Sequence, residues 1–161
     1  MYFRITKNTL SPELDRLLKL ARNKAPVLRA MGTVFKSITK GTFNSVGADM
    51  RPSPWKPKFG GTPSNLYKSG QLARSFHLTV NNSSATVSTP MSYAAIHQFG
   101  GKITAKGKAL AFIGPDGQHI FRKSVIIPPR PFFPVTPDGR LTPAAEHLIL
   151  EAGRKAIERQ K

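Results

Sequence analysis

The sequence predicts an α+β fold: an N-terminal helix pair, a small antiparallel sheet of hairpins with long loops, and a C-terminal helix. Three observations predict it. Apolar residues recur at helical spacing near both ends, apolar and polar residues alternate in the middle, and 14 prolines with 13 glycines interrupt the chain between these stretches. A chain of 161 residues fits one domain of ordinary size, so we expect a single domain over residues 1–161.

Helical patterns mark both ends of the chain. A first helix is expected over about 12–23 and a second one after Pro26, so that residues 1–46 form a helical pair. Near the other end, a threonine followed by Pro143 is typical of a helix start. Apolar residues then recur on one face of the expected helix in residues 142–161.

The segment 47–68 is expected to be a long loop. It contains several prolines around the only tryptophan, Trp55, and it has no apolar periodicity. An aromatic residue in such a loop anchors it to the core or to a neighbouring molecule, and stacking on a ligand is the alternative.

Residues 69–127 are expected to form the sheet. Alternation predicts one hairpin in 76–88. A second hairpin is expected to pair 109–113 with 119–127 around a Gly-Pro-Asp-Gly turn. The residues 102–123 are rich in lysine and glycine, and we expect them to project as a basic hairpin arm.

Two short motifs flank this arm. Residues 93–101 predict an aromatic helical turn that ends at two glycines. The run Pro128-Pro129-Arg130-Pro131 can be neither helical nor a central strand, because three of its four residues lack a backbone donor. We therefore expect a proline corner over residues 128–141.

Positive charge dominates the composition. The chain has 25 Lys and Arg against 8 Asp and Glu, a net charge of +17, and no acidic residue lies between Asp49 and Asp116. Such a field attracts polyanions, of which nucleic acid is the commonest. The basic residues are scattered, so an acidic protein partner or simple solubility explains them equally well.

The absence of cysteine excludes disulfides and thiolate metal sites. No apolar stretch is long enough for a signal peptide or a membrane span, so no membrane partner is expected. The four histidines, His77, His97, His119 and His147, lack metal-ligand spacing, and no nucleophile elbow or phosphate-binding loop is present. We predict no enzyme, no cofactor and no metal; a nuclease, the enzymatic alternative, needs a pocket with clustered carboxylates.

Three motifs in a fixed order carry a family resemblance. They are Leu66-Tyr67-Lys68-Ser69-Gly70-Gln71-Leu72-Ala73-Arg74-Ser75, Tyr93-Ala94-Ala95-Ile96-His97-Gln98-Phe99-Gly100-Gly101 and Ile127-Pro128-Pro129-Arg130-Pro131-Phe132-Phe133, preceded by Trp55-Lys56-Pro57. With them, about residues 51–135 resemble the phage virion-morphogenesis family. That family includes tail-completion proteins and is similar to the tail-to-head joining proteins of tailed phages.

The resemblance implies a non-catalytic α+β subunit that assembles as a hexameric ring at the neck or the head-proximal end of the tail. It implies homo-oligomer contacts, contacts with other phage tail, neck or connector proteins, and non-specific contact with genomic DNA in the channel. The expected location is the virion, after assembly in the host cytoplasm. Two features depart from the family pattern: Pro129 replaces a common small residue, and residues 102–123 are long and basic.

Aromatic residues and arginine dominate binding hot spots, which makes the motifs candidates for subunit contacts. The candidate interface residues are Trp55, Tyr93, His97, Phe99, Gly100, Arg130, Phe132 and Phe133. The alternative for each is core packing. Among Tyr93, Phe99, Arg130, Phe132 and Phe133, we expect about half to lie in the core. For His97, a core histidine with satisfied hydrogen bonds is favoured over a group that links two chains.

The basic arm supplies candidates for contact with DNA. They are Lys102, Lys106, Lys108, Arg122 and Lys123. Without a recognition helix or a zinc finger, contact is expected to phosphates and without sequence preference. The arm is expected to reach a neighbouring subunit or the channel. The main alternative function is a free basic nucleic-acid-binding protein.

Overall fold

The structure, a computed structural model, describes residues 10–57, 66–67, 69–114 and 116–159. Parts of the predicted helix pair, loop, hairpin turn and C-terminal helix lie outside the described residues, at positions 1–9, 58–65, 68, 115 and 160–161. The α+β class is confirmed, because helices precede and follow short antiparallel ladders.

The N-terminal helix pair is confirmed as α1, Leu10–Arg22, and α2, Ala25–Gly41. A proline stands in the first turn of α2, where a backbone N–H would have no partner within the helix. The side chain of Asn82 holds the junction, because it accepts from the N–H of Lys24 and donates to the carbonyl of Arg22, each at 2.6 Å.

Four shorter or later helical elements complete the set in the described residues. They are a 3₁₀ helix at Ser45–Met50, α3 at Gln71–Arg74, α4 at Ala94–Phe99 and α5 at Pro143–Glu158. The predicted C-terminal helix is confirmed. Its threonine start differs in detail: Thr142 makes no side-chain cap and instead donates its hydroxyl to the carbonyl of Met50 at 3.3 Å.

In the described chain, six strands form three two-stranded antiparallel sheets. The strands are β1, His77–Val80; β2, Ala85–Ser88; β3, Gly101–Thr104; β4, Leu110–Ile113; β5, His119–Arg122; and β6, Ser124–Ile127. The pairs are β1 with β2, β3 with β6 and β4 with β5.

The second predicted hairpin needs one correction. Only 119–122 pairs with 110–113, whereas 124–127 pairs with 101–104, which was not predicted as a strand. Residues 101–104 contain a single large apolar residue, Ile103, so local alternation is too weak to indicate a strand. Their pairing is set by a partner about twenty residues away.

An aromatic cluster forms the larger core. Phe43, Phe76 and Phe132 are each at most 2% exposed, and their ring centroids lie 5.5–6.0 Å apart in all three pairs. Burying each such side chain stabilises the fold by roughly 1.5–3 kcal/mol. Trp55 and Phe133 pack on the same cluster, which also includes Ala94. It therefore joins the segment after α2 with α3, α4, the proline corner and residues 51–57, which we call the tryptophan loop.

A second core lies between α2 and α5. Ile38 of α2 packs with Ala145 and Ile149 of α5. Gly153 lets the helices approach, because a Cβ there would lie 3.1 Å from the sulfur of Met31.

The hairpin of β1 and β2 lies against α2 at Gly32. A Cβ at Gly32 would lie 2.6 Å from Cδ1 of Leu78 and 3.1 Å from Cβ of Ala85. The glycine therefore allows a close approach between helix and hairpin.

We predict that Gly32→Val destabilises the protein by about 1–3 kcal/mol, because the new methyl groups overpack this contact. Urea unfolding followed by circular dichroism measures the change. Gly41→Val is the matched control in the same helix, since nothing lies within 4 Å of a Cβ there, and a shift of under about 0.5 kcal/mol is expected. Equal effects of both substitutions would contradict the packing explanation.

Candidate assembly interface

Helix α4 and the glycine that ends it direct the chain into the arm. Gly100 has φ 69° and ψ −174°, a conformation that glycine adopts readily because it lacks a Cβ. A Cβ at this position would lie 2.8 Å from both Cδ and the backbone nitrogen of Pro129. The glycine thus ends the predicted aromatic turn and lets the proline segment pass directly against it.

The first part of the predicted corner, residues 128–133, is hydrogen-bonded to α4, and we call it the proline corner. The N–H of Arg130 donates to the carbonyl of His97 at 2.7 Å. Oε1 of Gln98 accepts from the N–H groups of Phe132 and Phe133, each at 3.0 Å. Every residue of the corner that carries a backbone donor is therefore paired with α4.

The tryptophan loop closes over the other side of the corner's backbone. Nε1 of Trp55 donates to the carbonyl of Pro131 at 2.7 Å. In return, the guanidinium of Arg130 donates to the carbonyls of Lys56 and Pro57, at 3.0 and 2.9 Å. The prediction that Trp55 anchors its loop is confirmed.

Two residues that the sequence did not single out join the end of α2 to this assembly. Arg51 places its guanidinium carbon 3.9 Å over the Trp55 ring and donates Nε to the carbonyl of Thr42 at 2.8 Å. The hydroxyl of Thr42 lies 2.9 Å from the carbonyl of Phe132 and 2.8 Å from that of Thr39. Burial lowers the pKa of Arg51 and likewise that of Arg130, although arginine stays charged.

The eight candidate interface residues separate into two groups. Phe132 is 1% exposed and Arg130 is buried, while Trp55 and Phe133 are half-buried against the same core. These four stabilise the subunit itself in this structure. The outward group consists of Tyr93 and Phe99, with Phe99 78% exposed, together with the half-buried His97 and Gly100.

His97 occupies the boundary between these groups. Its ring meets that of Tyr93 edge-on, with centroids 6.0 Å apart. Burial lowers the pKa of His97, and the nearby Arg130 guanidinium lowers it further. Among the described residues, nothing hydrogen-bonds the buried Nδ1 atom, so the expectation of a core histidine with satisfied hydrogen bonds is wrong for this nitrogen.

A largely apolar groove of about 650 Å³ lies beside the corner. We call it the corner groove. It is lined by Phe35, Pro52, Ser53, Val87, Gln98, Phe99, Pro129, Pro131, Phe133, Val135, Thr136, Pro137 and Gly139. Gln98, which holds the corner, therefore also lines a concave surface together with Pro129, Pro131 and Phe133 of the corner.

The predicted arm, 102–123, extends to 101–127 in the structure, because 124–127 pair with 101–104. It carries both charge and apolar surface. Each of its candidate DNA contacts is exposed: Lys102, Lys106, Lys108, Arg122 and Lys123. Large apolar side chains are exposed beside them, including Ile113 at 67%, Phe121 at 60% and Ile126 at 76%. The arm is therefore not only a polar, solvated hairpin.

The described residues contain no cluster of three or more His, Cys, Asp or Glu side chains able to hold a metal ion. Within the same ranges, no helix combines the length and the apolar character needed to cross a membrane.

Comparison with known proteins shows which family the chain belongs to. The sequence model of the phage virion morphogenesis family matches residues 5–151. The chain belongs to this family. It is also similar to the Mu-like prophage FluMu G protein 2 of Haemophilus influenzae, with 33% identity over 129 residues that cover 80% of this chain and 78% of that protein. No solved structure matches the chain.

The family match confirms the resemblance drawn from the motifs and extends it beyond residues 51–135, from before α1 into α5. The role of the chain is structural, in the morphogenesis of a phage virion. Two of its motifs, the aromatic turn and the proline corner, are joined by three hydrogen bonds.

We predict that Gln98→Leu destabilises the subunit by about 2–4 kcal/mol, because it leaves the N–H groups of Phe132 and Phe133 buried without an acceptor. Denaturant unfolding gives the free energy. Gln71→Leu, on the exposed side of α3, is the matched control and should change stability by less than about 0.5 kcal/mol. A Gln98→Leu protein as stable as the parent would show that the corner does not depend on this side chain.

Proposed function

We propose that the chain assembles with copies of itself into a hexameric ring at the neck or the head-proximal end of a phage tail, with genomic DNA passing through the centre. The ring completes or terminates the tail, or joins it to the head, and so contacts other tail, neck or connector proteins. It is built in the host cytoplasm and stays in the virion. No step of this role requires catalysis.

The exposed aromatic surface on a rigid frame is the observation that carries the proposal. Phe99 is 78% exposed, yet the helix that bears it is held in place. It accepts three hydrogen bonds from backbone N–H groups of the proline corner. Preorganised apolar side chains lose little conformational entropy when a partner covers them. Tyr93 is 39% exposed and its ring meets that of the half-buried His97. We propose Phe99, Tyr93 and His97 as contacts between subunits.

The charge of the chain supports the passage of DNA. The net charge is +17, and the exposed arm carries five of the basic residues, Lys102, Lys106, Lys108, Arg122 and Lys123. A ring repeats that field around its lumen. Many weak phosphate contacts then tolerate moving DNA without reading its sequence.

A free nucleic-acid-binding protein is the alternative, and the charge favours it equally. The exposed apolar residues of the arm disfavour this alternative. Ile113 and Phe121 are both at least 60% exposed and share one face of the β4–β5 ladder. Exposed apolar surface of this kind marks contact sites for proteins rather than for phosphates.

We expect the purified chain to form a closed oligomer of defined stoichiometry in native mass spectrometry, because copies cover each other's apolar surface. In purified particles, labelled chain should lie at the neck or the head-proximal end of the tail in electron micrographs. A chain that remains monomeric at high concentration and is missing from particles would overturn the proposal.

We predict that the double substitution Lys106→Glu and Lys108→Glu makes the negative slope of log association constant against log salt shallower by about 2 for random duplex DNA, since each phosphate contact contributes roughly −0.9. The oligomer should persist. Lys19→Glu with Lys40→Glu changes the net charge equally, at exposed helical positions, and should leave the slope nearly unchanged. Equal losses in both proteins would place DNA binding outside the arm.

A further inference from the structure

The arm is one continuous projection built from two ladders. The pair β3 and β6 forms its base, and β4 and β5 form its tip. Between them, the N–H of Ala105 donates to the carbonyl of Lys123 at 2.9 Å, and residues 106–109 bulge out of the strand. The two ladders therefore extend in sequence from the body outward.

The tip is apolar on both faces. In the observed register, Ala111 pairs with Phe121 and Ile113 with His119, so Phe121 and Ile113 share one face. Leu110, Phe112 and Ile120 share the opposite face. A two-stranded ribbon is marginally stable in water by itself, and here Ile113 and Phe121 are mostly exposed. The tip is therefore a surface that another apolar surface would stabilise.

The corner groove offers such a surface. It has a volume of about 650 Å³, within the range of sites that enclose several apolar groups. Its walls include Phe35, Phe133 and several prolines. The hydrogen bonds of the proline corner hold the part of the lining formed by Gln98, Pro131 and Phe133, and the Phe35 ring stacks on that of Phe133. This part of the groove is therefore formed before anything enters it.

The tip does not fill the groove of its own chain. Phe99 and Pro129, which line the groove, lie where the arm leaves the body. The tip residues, 110–113 and 119–122, are absent from that lining. The groove is therefore open to the tip of a second copy.

One carboxylate at the rim of the groove can meet a basic residue of an incoming arm. Pro137 and Gly139 line the groove, and Asp138 stands between them at its rim. Its ion pair with Arg140 is highly exposed, with side chains 61% and 86% accessible, so it is weak. The arm that would enter carries five exposed basic residues against one carboxylate, Asp116.

We propose that the arm tip around Ile113 and Phe121 of one subunit inserts into the corner groove of the next. Tip and groove are different surfaces of the same chain, so the contact is head-to-tail, and a head-to-tail contact closes into a ring when its rotation permits. This inference rests on the proposed ring and names the contact that builds it.

Disulfide trapping tests the contact, because the chain has no cysteine of its own. Separate Ile113→Cys and Ser53→Cys proteins are mixed, oxidised mildly and analysed by non-reducing electrophoresis and peptide mass spectrometry. We expect a 113–53 crosslink at several times the level found with Ser83→Cys in place of Ser53→Cys. Ser83 is exposed in the β1–β2 turn and does not line the groove.

The outcomes separate the contact from the ring. A ring without the 113–53 crosslink overturns the inference and leaves the proposed function standing. A dominant 113–113 crosslink has the same meaning, because it would show that tips contact each other. If the thiol of the Ile113→Cys protein is protected from maleimide only when duplex DNA is added, the tip is assigned to nucleic acid and the inference is also overturned. Loss of all oligomers and of the crosslink overturns both.

A second pair of variants measures the contribution of the tip without relying on disulfide geometry. Ile113→Lys should weaken self-association at least tenfold, because it removes a buried isoleucine from the contact. Ile126→Lys alters an equally exposed residue of the arm base and should change it less than twofold. Equal effects would contradict insertion of the tip. Both sites are exposed, so thermal melts should match the parent.

Discussion

The hydrogen bonds between Gln98 and the proline corner are the interaction on which the rest of the structure depends. A segment rich in proline cannot join a helix or a central strand, so its few backbone donors need acceptors from elsewhere. One buried amide oxygen accepts two of them, from Phe132 and Phe133. This places the Phe132 ring in the centre of the aromatic core. The core, the tryptophan loop and the groove are all arranged around that backbone.

The same bonds explain how a short helix can present exposed residues rigidly. Helix α4 has six residues, too few to be stable in isolation. The corner donates hydrogen bonds to the His97 carbonyl and the Gln98 side chain of α4, and it packs against Gly100 at the end of the helix. Phe99 is therefore held outward by a frame that is anchored to the buried aromatic core. A rigid apolar projection of this kind is suited to assembly, because little order remains to be imposed on binding.

The sequence was sufficient for features whose cause is local. Periodicity predicted α1, α2 and α5, alternation predicted the β1–β2 hairpin, and missing donors predicted the extended corner. Pairing of β3 with β6 was missed, because it depends on residues about twenty positions away. The interface was predicted only by residue type. Phe132 and Phe99 are alike in the sequence, yet one is 1% and the other 78% exposed, and only tertiary contacts separate them. Gln98 was overlooked for the same reason.

The charge of the chain constrains any ring that it forms. Copies that each carry +17 repel one another, and the repulsion is strongest where basic arms converge. Apolar contacts are not weakened by salt, whereas repulsion between subunits and attraction to phosphates both are. In the proposed ring, then, salt assists the contact between tip and groove and opposes the contact with DNA. The separation of the arm into an apolar tip and a basic bulge at residues 106–109 fits that requirement, because each part addresses one partner. DNA in the lumen would in turn neutralise the bulges and so reinforce the ring that surrounds it.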